Sequence, residues 1–192
     1  MSKRKSLYTK YGDTGSTNLL YGGRVSKDSL QCEAYGAVDE ATSALGLARA
    51  LSEDLLIQST LKDIEIDLFT VAAELATDPK KYEMFKKYFR PVTADMTHHV
   101  EALIDEFHAK IDLPRSFIIP GGSPASAAID LGRTTIRRAE RNTVRLVAHS
   151  KLTNPEILKY LNRIGDLLFI IARYQDRDAL MEKLSDENPR IQ

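Results

Sequence analysis

From residue 30 onward the hydrophobic positions of this chain recur at helical spacing. Val38, Leu45 and Ala48 share one face and predict a first helix over residues 30–51. Ser52 is placed to cap a second helix, whose stripe is Leu55, Leu61, Ile64, Leu68, Val71 and Leu75, and Asp78-Pro79 stops it. Thr93 is placed to cap a third, with Met96, Val100, Leu103, Ile104 and Phe107 on its buried side. Ser123-Pro124 reads as N-cap and first helical residue of a fourth helix, and Asn154-Pro155 repeats that signal for a fifth. Only Ser116 to Ile119 reads as a strand, and it is short. Five amphipathic helices with modest connections predict an all-α fold, a five-helix bundle.

The first thirty residues differ. Gly12, Gly15, Gly22 and Gly23 lie among Thr, Ser, Asp and Asn, a composition that suits turns and an extended glycine-rich loop. No repeat, low-complexity tract or composition break divides the chain. The expected organisation is a single domain, 1–192: a loop segment over 1–29, a helical bundle over 30–185 and a polar tail over 186–192.

Composition works by exclusion. Apolar residues make up 43% of the chain and charged residues 28%, the proportions of a soluble globular protein. Lys plus Arg equals Asp plus Glu, 27 against 27, so no global field favours nucleic acid or membrane and any phosphate recognition is local. The single cysteine, Cys32, excludes an internal disulfide framework and a multi-thiolate zinc site. The basic start, with Ser2 to Lys5, is followed by no apolar signal region, and the longest apolar run, Leu167 to Ala172, is too short to span a bilayer. The expected compartment is cytoplasmic.

Two segments carry candidate chemistry. Thr9, Lys10, Tyr11, Gly12, Asp13, Thr14, Gly15, Ser16 and Thr17 hold the parts of a phosphate cradle: glycines for close backbone approach, hydroxyl donors and a lysine. The segment lacks the GxxxxGK[ST] pattern, and on composition alone a polar surface loop explains the same residues. On the predicted fourth helix, Arg133, Arg137, Arg138, Arg141 and Arg145 fall close together with Glu140 the only acid among them. Arg133, Arg137 and Glu140 share a face with Arg141 at its edge, and such a face needs an anion, an acidic partner or solvent.

Other positions are open to two readings. Asn162, with Asp166 and Arg173 on its face, suits a base or ribose contact or a plain exposed helix surface. Asp39 and Glu40 stand beside small residues that allow close helix approach or room for a flat ligand. Phe117, ahead of Pro120-Gly121-Gly122, suits a core or a pocket wall. His98, His99 and His108 match no metal motif and read as surface residues.

Taken together, four blocks resemble the PduO-type ATP:cob(I)alamin adenosyltransferases. They are TKYGDTGSTNLLYGGRVSKD (9–28), EAYGAVDEATSALGLA (33–48), FIIPGGSPASAAIDLGRTTIRRAER (117–141) and YLNRIGDLLFIIAR (160–173), in family order and spanning most of the chain. DLFTVAAELAT (67–77) adds a weaker match. The resemblance implies a trimeric helical bundle with sites between subunits. It also implies transfer of the 5′-deoxyadenosyl group of ATP to cob(I)alamin with Mg²⁺ present, a corrinoid reductase upstream and adenosylcobalamin-dependent enzymes downstream. By the same resemblance, Thr9, Lys10, Tyr11, Gly12, Asp13, Gly15, Ser16, Thr17 and Lys27 fall in the ATP-binding loop blocks. Arg137, Arg138, Glu140, Arg141 and Asn162 complete the nucleotide site, and Arg137, Lys10 and Phe117 are the residues tied to catalysis. Asp39 and Arg133 match a pair that bridges subunits near the corrinoid, and Phe117 the aromatic that keeps the lower axial ligand off cobalt.

The sequence departs from the family pattern at Ala41-Thr42, Gly132 and Gly165. The alternative functional reading is a non-catalytic protein of the same fold that delivers ATP or a corrinoid. A third is a scaffold whose arginines only pair between subunits.

Overall fold

The computed structural model describes residues 8–149 and 151–184. The basic start at Ser2 to Lys5 and the polar tail at 186–192 lie outside the described residues. No helix among the described residues is long and apolar enough to cross a membrane.

Six α-helices are present among the described residues, one more than the hydrophobic pattern predicts. They are α1 Leu30–Leu51, α2 Leu55–Leu75, α3 Tyr82–Tyr88, α4 Ala94–His108, α5 Pro124–Ala148 and α6 Glu156–Gln175. α1 opens on Ser29, whose hydroxyl accepts from the Cys32 N–H and satisfies one of the free amides of the first turn. The cap of α2 is Asp54, which accepts from the N–H groups of Leu56 and Ile57; Ser52 instead donates to the Gln175 side chain on α6 at 2.7 Å. α5 opens on a reciprocal capping box between Ser123 and Ser126, with Pro124 at its first position. At α6 the Asn154 side chain accepts from the Glu156 N–H across Pro155.

The extra helix, α3, follows a single 3-10 turn, Pro79–Lys81, capped by Asp78. Its sequence, YEMFKKY, buries only Phe85, which stacks on Tyr82 and Phe89. Ser116 to Ile119 forms no strand; Ile118 makes one isolated antiparallel bridge to Lys183.

α1 packs between α5 and α2, and α6 between α5 and α4, with α2 touching α6 to close the bundle. The core between them is lined by Val38, Leu45, Leu61, Leu68, Ile136, Leu161 and Leu168, all fully buried. Gly132 lets α5 approach α1: a Cβ there would lie 2.6 Å from the Leu45 Cδ2. Phe107 of α4 meets Tyr174 of α6 edge-on at 4.9 Å between ring centres.

The C-terminal end of α2 is a junction. The buried Glu74 carboxylate accepts from the Tyr82 hydroxyl, the Val92 N–H (2.8 Å) and the Asn154 amide (2.8 Å). Two residues on, the Ala76 carbonyl accepts from the Leu20 N–H at 2.8 Å, and Gln31 of α1 donates to the Leu75 and Thr77 carbonyls.

Candidate functional site

The residues before α1 form a small hairpin. β1 Ser16–Asn18 pairs antiparallel with β2 Arg24–Ser26, setting Ser16 opposite Ser26 and Asn18 opposite Arg24. The chain enters through two left-handed residues, Lys10 at φ 60° and Gly15 at φ +77°. Lys10 is the informative one, because a side chain rarely adopts that region without surroundings that hold it there. A Cβ on Gly12 would lie 3.0 Å from the Lys27 Nζ, so the missing side chain lets the ammonium rest against the loop backbone. Arg24 crosses from β2 and donates to the Tyr11 carbonyl at 2.6 Å and, through Nε, to the Ser16 hydroxyl at 3.1 Å.

A hollow of about 420 Å³ is lined by Thr9, Tyr11, Gly12, Ser16, Thr17, Asn18, Arg24 and Lys27; Lys10 and Gly15 do not line it, and the Lys10 ammonium lies 5.7 Å from the Tyr8 ring centre. Hydroxyl donors and two cations facing one space suit an anionic ligand. The sequence gives no separate signal for Arg24 and Asn18, although they lie in the block that includes Lys27. The signal for Arg24 is its cross-strand register, which appears only once the hairpin is formed. The hairpin rests on α1. There, the Tyr35 hydroxyl donates to the Cys32 sulfur at 3.0 Å, and the Cys32 thiol donates to the Ser26 carbonyl at 3.4 Å. Burial, reinforced by the Cys32 contact, pushes the Tyr35 phenol up to about 12.

The α5 arginines stand elsewhere in the chain. Arg137 and Arg141 are exposed and have no ion-pair partner among the described residues. Arg138 pairs with Glu40 on α1. Glu140 accepts from the Asn162 amide at 2.9 Å, so those two sequence-nominated residues do meet, across α5 and α6. The Asp39 side chain is exposed and unpaired among the described residues. None of the α5 or α6 side chains lines the hairpin hollow. Asp13 is exposed beside the hollow rather than lining it. His98, His99 and His108 are all exposed, as expected of surface residues.

A second, larger hollow of about 740 Å³ lies between the 114–120 segment and the α5 and α6 helices. Phe117 stands on it with 76% of its surface exposed, which makes it a wall residue and not core. Backbone bonds fix that segment, from the Ile119 N–H to the Glu182 carbonyl and from the Leu184 N–H to the Phe117 carbonyl, each 2.9 Å. Its charged lining is Arg115, Asp130, Arg133 and Arg173, and its other aromatic is Phe169. Helical position predicts Arg173 on the exposed face of Asn162 and Asp166; instead it is 3% exposed, within a buried stretch from Ile170 to Tyr174. Arg133 also finds an acid that the arginine count overlooked: its Nε donates to Asp130, one turn earlier, at 2.9 Å.

The family model for cobalamin adenosyltransferases matches residues 7–175. The chain belongs to that family. It is 39% identical over 171 residues to a corrinoid adenosyltransferase of Mycobacterium leprae, covering 87% of this chain and 89% of that protein. It is 36% identical over 174 residues to the corrinoid adenosyltransferase PduO of Salmonella typhimurium, covering 91% of this chain. The chain spans about half the length of that relative, 51%. Among solved structures, a variant PduO-type ATP:corrinoid adenosyltransferase from Lactobacillus reuteri, complexed with cobalamin and ATP, superposes with a TM-score of 0.85. It is 28% identical, and the match covers 93% of this chain and 98% of that one.

As a member of the cobalamin adenosyltransferase family, the chain carries its departures in places the packing explains. Gly132 faces Leu45 across the α1–α5 contact and not the large hollow. At the buried Gly165 a Cβ would touch the Arg137 stem at an ordinary 3.8 Å, so the space there accepts a methyl group. Ala41 is fully buried in the core, and the Thr42 hydroxyl is spent on the Val38 carbonyl of its own helix.

Proposed function

We propose that this chain transfers the 5′-deoxyadenosyl group of ATP to the cobalt of cob(I)alamin and releases triphosphate. The observation that carries the reading is the pair of unlike hollows in a chain of this family. One is small, cationic and hydroxyl-lined; the other is large, walled by Phe117 and Phe169. A two-substrate transfer between an anionic nucleotide and a broad, largely apolar macrocycle needs both.

In the reaction the Co(I) electron pair forms the cobalt–carbon bond to C5′ as the C5′–oxygen bond breaks. That bonding pair leaves on the triphosphate, so negative charge grows where the leaving group sits. Lys10, Lys27 and the hydroxyls of Thr9, Ser16 and Thr17 hold the phosphates at the loop, with Tyr11, Gly12, Asp13 and Gly15 shaping it. Arg137, Arg138 and Arg141 supply further positive charge, and the Glu140–Asn162 pair reads the nucleoside. Fixed cations that face the developing charge lower the barrier without reorganising. No base is required, because cob(I)alamin is itself the nucleophile; the chain's task is alignment. Phe117 keeps the lower axial ligand and water off the cobalt. The loop hollow offers hydroxyls, and no cluster of three or more His, Cys, Asp or Glu exists among the described residues. Mg²⁺ therefore fits as an ion carried on the triphosphate, with phosphate and water as its main ligands.

Assembly completes the site. No α5 side chain reaches the loop hollow within one chain, while Arg137, Arg141 and Asp39 stand exposed and unpaired. A homotrimer in which the loop of one subunit closes over α5 of the next, with Arg133 meeting Asp39, accounts for both facts. We read residues 1–192 as one such domain, working in the cytoplasm between a corrinoid reductase and adenosylcobalamin-dependent enzymes.

The test is to mix purified protein, ATP, Mg²⁺ and cobalamin with a competent reductant, and follow the adenosylcobalamin spectrum and triphosphate together. Equal amounts of both products support the transfer. Bound ligands with no cobalt–carbon bond formed would establish the delivery protein instead.

A further inference from the structure

The floor of the large hollow holds a charge relay that the proposed activity does not explain. Asp130 is 4% exposed and Arg173 3%, and they form a buried ion pair between α5 and α6. The second oxygen of Asp130 accepts from the Arg133 Nε at 2.9 Å, one helical turn along. Arg173 in turn sits over the Phe169 ring, 5.4 Å from its centre. All four side chains line the same hollow as Phe117.

We infer that Asp130 and Arg173 are positioning residues that fix the Arg133 guanidinium for the corrinoid side of the site. This role rests on the adenosyl transfer proposed above. Arginine carries five N–H donors in a rigid plane. Asp130 occupies only the Nε–H of Arg133, and neither Nη group has a partner among the described residues. One anchored edge sets the plane of the fork and leaves its other two nitrogens free for an external acceptor. The anchor cannot drift, because its carboxylate is shared with Arg173, whose other face is held by Phe169. A lone Arg133 would sample many rotamers and lose them on binding. Burying an ion pair for stability alone gives little advantage over apolar residues of the same volume, which leaves orientation as the pair's contribution.

The test is a double-mutant cycle on the full chain. Asp130→Leu with Arg173→Leu removes both buried charges together and leaves neither unpaired, so the bundle stays folded, while Arg133 loses its tether. The expected result is a rise of about tenfold in KM for reduced cobalamin, with KM for ATP unchanged within about twofold. In an Arg133→Ala background the same pair of changes should add nothing, since the anchor acts only through Arg133. Asp130→Asn is the second variant; it keeps the shape, and its corrinoid KM should rise likewise even if thermal stability falls. Equal rises in both KM values, or full additivity with Arg133→Ala, would show a purely structural pair and overturn the inference. A wild-type protein that forms no adenosylcobalamin would sink the activity itself, a result distinct from either.

Discussion

Truncating Glu74 to alanine removes the acceptor at the end of α2 from three donors: the buried Val92 N–H, the half-buried Tyr82 hydroxyl, and the half-buried Asn154 amide, which keeps its bond to the Val92 carbonyl. Each unpaired buried donor costs about 1–3 kcal/mol. Water recovers part of this, but the neighbouring hollow, lined by Glu74, Tyr82 and Asn154, is only about 10 Å³, barely room for one molecule before truncation. We therefore expect a loss of about 3–5 kcal/mol, near the low end of the sum. For a chain of this size that is a fall of roughly 6–20 °C in Tm. The assay is urea and thermal unfolding at fixed protein concentration, because assembly makes Tm concentration-dependent. Glu74→Gln, which keeps one acceptor but turns an amide donor toward the cluster, should fall between wild type and alanine. A loss below about 1 kcal/mol for the alanine variant would refute the reasoning, since the three donors would then have other partners.

Other outcomes follow from single contacts. A Cβ at Gly22 would lie 2.6 Å from the Asp78 Cβ and 3.0 Å from the Leu19 Cβ, both close to backbone. Gly22→Ala should cost about 1–3 kcal/mol of local stability and raise KM for ATP by lifting the hairpin base; unchanged ATP kinetics would contradict this. Arg137→Ala should lower kcat/KM for ATP by about 10–100-fold with the fold intact, and unaltered kinetics would remove Arg137 from the phosphate site. Burial, and then the charge of the Asp67 carboxylate that accepts from its hydroxyl, hold the Tyr160 phenol well above the usual tyrosine range. The folded pKa lies above the unfolded one, so this stabilisation is complete below about pH 10 and is lost as pH rises beyond it. Tyr160→Phe should thus flatten the alkaline loss of stability in urea titrations; an identical slope would exclude the phenol as its source.

The helices are legible where a long apolar stripe meets an unambiguous cap, as at Ser123-Pro124 for α5; Thr93 stands at the N-cap position of α4, but its side chain makes no capping bond. The start of α2 is ambiguous in the sequence because Ser52 and Asp54 both offer capping side chains within three residues, and Ser52 is claimed by Gln175. α3 was missed since seven residues with one buried side chain carry no period; its aromatic stack and the Glu74 contact hold it. The hairpin strands are three residues each with Val25 their one apolar side chain, too short for alternation to register. In the site, residue types were readable and partners were not. Arg24 acquires its role through strand register, and Asp130 through its shared place between Arg133 and Arg173 on two helices.

The junction at the end of α2 has a consequence for how ligand binding is paid in conformational freedom. Leu20 is bonded both ways to it, through its N–H to Ala76 and its carbonyl to the Asp78 N–H, so the hairpin base shares the fate of the bundle. Among the described residues, the tip around Gly12 and Gly15 is tied down by its own turns, by Arg24 on the Tyr11 carbonyl and by the Lys27 N–H on the Gly15 carbonyl. Ordering on binding is thereby confined to the few residues that touch the ligand, and the entropy lost is that of a fingertip rather than of a whole arm. Amide exchange should show it directly, with Leu20 exchanging as slowly as the core and Gly15 exchanging fast until nucleotide is added.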